Sequence, residues 1–361
     1  MRLLAGLLIA TSLFAETNWL ELPNPQLEID GLPWFAENHG EFYRLPERLK
    51  DTFRPPVWNL AKSPSGGRIR FRTDSPVIQI RVEYPKPPDM RNMHAFGQTG
   101  LDLYADGVYA SSAIADKDAK PGKVYEHKFF DLSQRPRVMR DIVLYLPLYM
   151  PAKVLSIGVE SDAKMEKAKP FAVTKPVVFY GTSITQGGCA SHSAMSYQAI
   201  LGRKLNLDFV NLGFSGNGKG ESEVAKAVAE LDPSVFVLDF SANNESVESV
   251  RAVYAPFIET LRAKHPDTPI LCISLIATSA EMFNDETRLT RRAMRDVISG
   301  VVKSRTAAGD AHITFIDGTE LLGFSQLDGV VDGTHPNDLG FQWMADGISS
   351  RLREILHLSP R

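Results

Sequence analysis

Ser183 stands at the tip of the run Val177-Val-Phe-Tyr-Gly-Thr-Ser183, where a buried strand meets a tight turn. The run is short, apolar, and rich in β-branched and aromatic residues, and a polar, glycine-containing corner follows it through Cys189. At the carboxyl end of a strand in an open α/β sheet, a serine is exposed and faces the unpaired N–H groups of the next helix. Three more polar corners follow hydrophobic strand patterns. They are Asn211-Leu-Gly-Phe-Ser-Gly-Asn-Gly218, Asp239-Phe-Ser-Ala-Asn-Asn244 and Asp332-Gly-Thr-His-Pro-Asn337.

Acyl transfer needs a nucleophile, a base within hydrogen-bond reach, a group that orients the base, and donors aimed at the developing oxyanion. Ser183 would attack, His335 would take its proton, and Asp332 would fix the histidine tautomer. The N–H groups of Ser183 and Gly216 and the side-chain amide of Asn243 would hold the oxyanion. Each residue also has a plainer reading: Ser183 as a helix cap, His335 and Asp332 as loop residues, Asn243 and Asn244 as turn formers. The argument lies in convergence, because the carboxyl ends of parallel strands share one edge of the sheet.

After Pro170 the pattern alternates strand with amphipathic helix. Strands are expected at 177–180, 209–212, 235–240, 270–275 and 313–317, with helices at 194–205, 220–231, 246–264, 285–306 and 338–356. Near-continuous apolar strands between helices imply a parallel five-stranded sheet covered on both faces. Before Pro170 the texture is different. Residues 16 to about 60 are rich in proline and aromatics and are expected to wrap over a sheet. From Arg68 to Tyr84 strict alternation around Thr73-Asp74-Ser75-Pro76 predicts a hairpin with Arg68, Arg70, Arg72 and Arg81 on a solvated face. Asp106-Gly107 predicts a second tight hairpin. Several short strands without long helical patterns imply an all-β, jelly-roll-like sandwich. The organisation predicted is therefore 16–170 as a β-sandwich domain and 171–361 as a catalytic α/β domain.

Composition narrows the function classes. A formal net charge of −3 over 361 residues gives no basic footprint for nucleic acid. Residues 1–15, with Arg2, an apolar run and small residues up to Ala15, read as a cleavable signal peptide. That predicts a secreted or periplasmic protein with no membrane anchor after cleavage. Cys189 and Cys272, without zinc-type spacing, are expected to be free thiols.

Taken together and in order, Gly-Thr-Ser183, Gly216 in Phe-Ser-Gly-Asn, Asn243 in Ser-Ala-Asn-Asn and Asp332-x-x-His335 resemble the four blocks of the SGNH (GDSL-type) hydrolase superfamily. Gly100-Leu-Asp-Leu-Tyr104 resembles the Gly-x-Asp-Leu-Tyr motif of a β-rich domain that precedes the hydrolase in one two-domain branch. The resemblance implies a flavodoxin-like three-layer α/β/α catalytic domain acting on esters with no metal and no organic cofactor. It also implies an acylated small molecule or glycan as substrate, with acetyl or other short acyl groups removed from carbohydrate. The sequence departs from the pattern at Thr182 for Asp, Ser241 for Gly and Asn244 for Asp, which touches loop shape near Asn243. His94, shortly before the Gly100 motif, is the histidine expected to reach substrate if the small domain walls the cleft. Trp34, Trp58 and Tyr109 are expected to be sugar-stacking or core aromatics. Two rival readings stand: an acyltransferase with the same triad, and a non-catalytic carbohydrate-binding protein on a hydrolase fold.

Overall fold

A computed structural model describes residues 16–359, so the signal-peptide expectation for Met1–Ala15 lies outside the described residues. The first half of the chain forms ten strands: β1 (Thr17–Glu21), β2 (Glu28–Asp30), β3 (Arg68–Thr73), β4 (Val77–Glu83), β5 (Leu101–Ala105), β6 (Val108–Ala113), β7 (Val124–Asp131), β8 (Arg140–Tyr145), β9 (Lys153–Glu160) and β10 (Met165–Glu166). Two short helices, α1 (Pro55–Ala61) and α2 (Ala95–Thr99), interrupt them. One sheet runs β1-β9-β4-β7 and the other β10-β3-β8-β5-β6, with β2 also on β3. All the pairings are antiparallel. Their inner faces share one apolar core, which makes the unit a β-sandwich.

β3 and β4 do not form the expected hairpin. They lie in opposite sheets, and Ile69 and Phe71 of one meet Ile78, Ile80 and Val82 of the other across the sandwich core. Period-two alternation marks which face is buried but is silent about the partner strand. The β5–β6 hairpin does form, with Asp106 and Gly107 both at positive φ (51° and 79°), the geometry of a type I′ turn.

The second half carries β11 (Val177–Gly181), β12 (Phe209–Gly213), β13 (Val235–Asp239), β14 (Ile270–Ile273) and β15 (Ile313–Ile316) in one parallel sheet of order β12-β11-β13-β14-β15. Its helices are α3 (Ser183–Gln186), α4 (Tyr197–Leu205), α5 (Ser222–Val228), α6 (Val247–Lys264), α7 (Ala280–Phe283), α8 (Asp285–Ala307), α9 (Gly318–Leu321) and α10 (Asp338–Ile355). Alternate residues of each strand feed two separate cores. Val178, Tyr180, Phe236 and Leu238 pack against α5, α6 and α8. Val177, Phe179, Val235 and Val237 pack against α4 and α10. This is the flavodoxin-like three-layer arrangement, and its strand order reverses beside β11, the strand that delivers Ser183. Among the described residues no helix is long and apolar enough to cross a membrane.

The two halves are bonded through charged side chains, two of which, Arg68 and Arg70, the strand alternation predicts to be in solvent. Arg68 is 2% exposed; its guanidinium lies 3.8 Å over the Phe209 ring and pairs with Asp208. Arg70, also buried, stacks on Phe171 at 3.7 Å and bonds Asp30. The wrapping segment likewise covers the parallel sheet: Trp34, Leu45, Phe53 and Val57 sit in the same core as Leu212 and Phe214.

Arg44 is the extreme case, with 1% exposure. Its Nε donates to the Ser63 carbonyl at 2.7 Å and Nη2 to Leu60 at 2.8 Å, while Nη1 donates to Asn211 at 3.1 Å and Gly213 at 2.5 Å. One guanidinium thus ties the N-terminal segment to the end of β12. Burial pulls its pKa down to about 9, so it remains charged at neutral pH. Arg44→Ala leaves four carbonyls short of a donor and opens a cavity, and an expected ~3–5 kcal/mol of stability is lost. Urea unfolding measures this. A loss below about 1 kcal/mol would mean that the carbonyls re-pair with water at little cost.

Candidate active site

The strand-to-helix corner after β11 sets the nucleophile position. Thr182, extended at φ −101° and ψ −157°, caps α3 by accepting from the Ile184 N–H, so the cap role belongs to Thr182 rather than to Ser183. The Ser183 hydroxyl is thereby free, and its Oγ lies 2.9 Å from His335 Nε2. At 8% exposure Ser183 is more enclosed than the turn pattern implied. α3 holds its place by close packing: a Cβ on Gly213 would come within 2.1 Å of the Gln186 nitrogen. Asn211 donates to the Thr185 carbonyl at 2.7 Å, and Tyr149 from the sandwich donates to the Ser183 carbonyl at 3.2 Å.

The loop before α10 brings the other two residues in. His335 Nδ1 lies 2.8 Å from Asp332 Oδ2, which assigns the proton on Nδ1 to the aspartate and leaves Nε2 as the acceptor towards Ser183. Asp332 Oδ1 accepts from the N–H groups of Thr334 (3.1 Å) and His335 (2.9 Å), an Asx-type turn that locks the carboxylate. Burial alone would raise the Asp332 pKa. The donors from the His335 backbone, Asn92 and the His335 ring outweigh it and hold the carboxyl well below the usual carboxylate range. The loop is braced from outside by the Ser279 N–H donating to the Gly333 carbonyl at 2.8 Å. The 275–281 stretch behind it is fixed by buried Glu281, clamped by Arg291 and Arg295.

The candidate oxyanion donors come from the two neighbouring corners. Gly216 is at φ +66° in an exposed turn, a conformation that suits glycine, and its N–H meets no acceptor among the described residues. Asn243 donates one amide hydrogen to the Phe214 carbonyl at 3.1 Å, which fixes the side chain between its own corner and the Gly216 turn and leaves the second hydrogen for a ligand. Gln186 joins the corners, accepting from the Ser215 N–H at 2.9 Å and donating to Leu148 of the sandwich at 3.0 Å.

Beneath the nucleophile, Asp239 is enclosed, with Thr185 Oγ1 at 3.2 Å and the Tyr197 hydroxyl at 3.4 Å. Burial pushes its pKa up to about 7 despite those donors. Cys189 Sγ, Asp332 and His335 offer ligand atoms within 4.8 Å of one another. They make a poor metal cage. Both His335 nitrogens are engaged, and burial, with the Asp332 charge, pushes the Cys189 thiol up to about 12, so it stays neutral. Cys189 and Cys272 are both free.

Among the described residues His94 makes no hydrogen bond to these groups. Its Nδ1 accepts from the Phe96 N–H at 3.4 Å, its ring stacks on Phe96, and it remains exposed as the cap of α2. Two residues earlier, Asn92 donates to Asp332 at 2.8 Å. Nothing in the irregular stretch Met90-Arg-Asn-Met-His94 signals that contact. Asp102 of the Gly-Leu-Asp-Leu-Tyr motif is fully buried and accepts from His192 Nδ1 at 2.7 Å, Ala194 N–H at 2.6 Å and Ser112 Oγ at 2.5 Å. The motif thus anchors the 192–194 loop downstream of the nucleophile. Trp34 is core at 5% exposure, whereas Tyr109 is 40% exposed and stacked on His192.

Comparison with known proteins adds a frame to this geometry. Residues 174–353 match the profile described as the GDSL-like Lipase/Acylhydrolase family, and residues 17–165 match GxDLY, the N-terminus of Esterase_SGNH_hydro-type. A GDSL-like lipase from Bacteroides ovatus is 34% identical over 95% of this chain and 99% of its own, with a TM-score of 0.84. The salicylyl-acyltransferase SsfX3 from a tetracycline biosynthetic pathway is 22% identical over 95% and 98% of the two chains, TM-score 0.79. A family two carbohydrate esterase from Cellvibrio japonicus is 11% identical over 95% and 99%, TM-score 0.62, a likeness of fold. Among curated proteins none matches the sequence significantly.

Proposed function

The chain belongs to the GDSL-like lipase/acylhydrolase family, and from that premise we propose that it is an exported serine ester hydrolase removing acetyl or other short acyl groups from carbohydrate. The observation that carries the reading is the unbroken relay from Ser183 Oγ through His335 to Asp332, with 2.9 Å and 2.8 Å links. His335 Nε2 takes the Ser183 proton as Oγ attacks the ester carbonyl. The Ser183 and Gly216 N–H groups and the Asn243 amide take up the oxyanion. Collapse expels the sugar alkoxide, which leaves as the alcohol with the proton from His335. Water, deprotonated by the same nitrogen, then frees the acid and restores Ser183.

The carbohydrate preference is supported by the carbohydrate esterases of similar fold and by the exposed Tyr109, stacked on His192 of the loop downstream of the nucleophile. The residue 1–15 pattern supports export to the periplasm or medium, where acetylated glycans are met. A second reading has its own support: the 22% identical salicylyl-acyltransferase matches along nearly the whole chain, and the same acyl-enzyme would then pass to an acceptor alcohol.

Acetate release from a panel of acetylated polysaccharides and oligosaccharides, beside a small chromogenic acetate ester, tests the proposal. Acetate from one glycan class, absent with Ser183→Ala, is the expected result. Chromogenic turnover alone, or an acyl product on an added alcohol, removes the carbohydrate hydrolase reading. Asn243→Ala is expected to lower kcat about 10²- to 10³-fold, the effect of deleting one oxyanion donor. An unchanged kcat would move that role to the two backbone N–H groups alone.

A further inference from the structure

The sandwich reaches into the relay itself at one point. Asn92 Nδ2 donates to Asp332 Oδ2 at 2.8 Å, the same oxygen that receives His335 Nδ1 at 2.8 Å. We propose that Asn92 is a positioning residue of the triad, a fourth member supplied by the N-terminal half, which holds Asp332 in register and moderates its pull on His335. The proposal rests on the serine-hydrolase reading above.

The segment carrying Asn92 is built to hold it still. Gln98, 3% exposed, laces the turn before it: Oε1 accepts from the Asp89 and Met90 N–H groups at 2.9 and 3.0 Å, and Nε2 donates to the Met90 and Met93 carbonyls at 3.2 and 2.6 Å. Met93, beside Asn92, is buried in the same core as Ile184, Cys189 and Ala190, directly behind the nucleophile turn. Gly97 presses on that turn so closely that a Cβ would sit 2.2 Å from the Ala190 carbonyl. A loop laced by Gln98 and anchored by buried Met93 that presents one amide to one carboxylate oxygen is a device for orientation. It also explains why the two halves are stapled by Arg44 and Arg68: a small slide would detach Asn92.

The chemistry follows from sharing. With Asn92 donating, Asp332 Oδ2 spends part of its acceptor strength on a neutral amide and less on the imidazolium. Without it, the carboxylate, still held at Oδ1 by the Thr334 and His335 N–H groups, turns all of Oδ2 to protonated His335 and grips it harder. The flanking segments also carry Asp89, Arg91, His94, His192, Asp328, Asp338 and the neutral thiol of Cys189, and among the described residues none of these side chains makes a hydrogen bond to Asp332.

The test uses Asn92→Ala and the near-isosteric Asn92→Asp in the full chain, with Ser183→Ala alongside, on a chromogenic acetate ester over a range of pH. Asn92→Ala is expected to lower kcat roughly tenfold, the worth of one charge-assisted hydrogen bond, with KM within about twofold because Asn92 touches no substrate. The acid limb of kcat/KM moves to higher pH in Asn92→Ala, and Asn92→Asp adds a further pH step where the two carboxyls, too close to ionise together, lose their shared proton and the imidazolium is held more strongly. Wild-type kcat and an unmoved acid limb in both variants, with Ser183→Ala inactive, overturn the Asn92 role and leave the triad standing. Activity in Ser183→Ala overturns the underlying reading instead. Should Asn92→Ala unfold, Asn92→Asp keeps the shape and carries the decision through its pH profile.

Discussion

Ser183→Ala is expected to lower kcat about 10⁶-fold, the largest single effect in the molecule, because removing a nucleophile that acts as a unit with its base costs nearly as much as removing the whole triad. The structure makes the measurement clean. Among the described residues the serine Oγ bonds only His335, while the turn is held by the Thr182 cap, the Asn211 amide and the Tyr149 hydroxyl, none of which the substitution touches. The variant should therefore fold with stability within about 0.5 kcal/mol of the parent. It should also fail to react with a serine-directed organophosphonate. Residual hydrolysis would come from oxyanion donors and substrate positioning acting on water. More than about a tenth of the parent rate would sink the nucleophile assignment, since a genuine covalent catalyst cannot lose its attacking atom so cheaply.

The parallel sheet was legible because its code is local. Continuous apolar strands and amphipathic helices alternate, and the observed strands begin at 177, 209, 235, 270 and 313, where the pattern puts them. The one-turn helices α3, α7 and α9 escaped notice, since four residues carry no period. The sandwich was legible as a class and not as a pairing: β3 and β4 read as hairpin partners yet face each other across the core. Arg68 and Arg70 misled for a related reason. Alternation puts them on the face opposite the sandwich core, and only the docking of the second half turns that face into an interior.

The candidate site divides along the same line. Ser183, Gly216 and Asn243 follow directly on the ends of β11, β12 and β13, so topology gathers them, whereas Asp332 and His335 come in on the loop before α10, beyond α9, and were legible from their spacing instead. Asn92, Tyr149 and Gln186 act through contacts between the halves, which no single-segment pattern encodes. His94, two residues on, remains an expectation for substrate contact, while the amide of Asn92 makes the contact with Asp332.

Asp332→Asn is expected to lower kcat about 10⁴-fold at neutral pH, a loss that comes from the tautomer of His335 rather than from a missing side chain. The reasoning turns on which end of the new amide faces which donor. Oδ1 of Asp332 accepts two backbone N–H groups, from Thr334 and His335, that cannot turn away. The asparagine must therefore keep its oxygen there and place its NH₂ where Oδ2 was. That NH₂ then points at His335 Nδ1, which has to become an acceptor, so the imidazole proton moves to Nε2 and faces Ser183. A histidine in that form cannot accept the serine proton. The Asn92 amide, which now donates to Oδ2, would meet the new NH₂ donor to donor and must flip end for end to offer its oxygen, with its backbone held as before. The fold should be retained, because the shape and both backbone bonds survive. The expected signature is thus a well-folded protein with KM near that of the parent and a kcat near background. Parent-like kcat would show that Asp332 serves only the loop turn, with His335 oriented by other contacts.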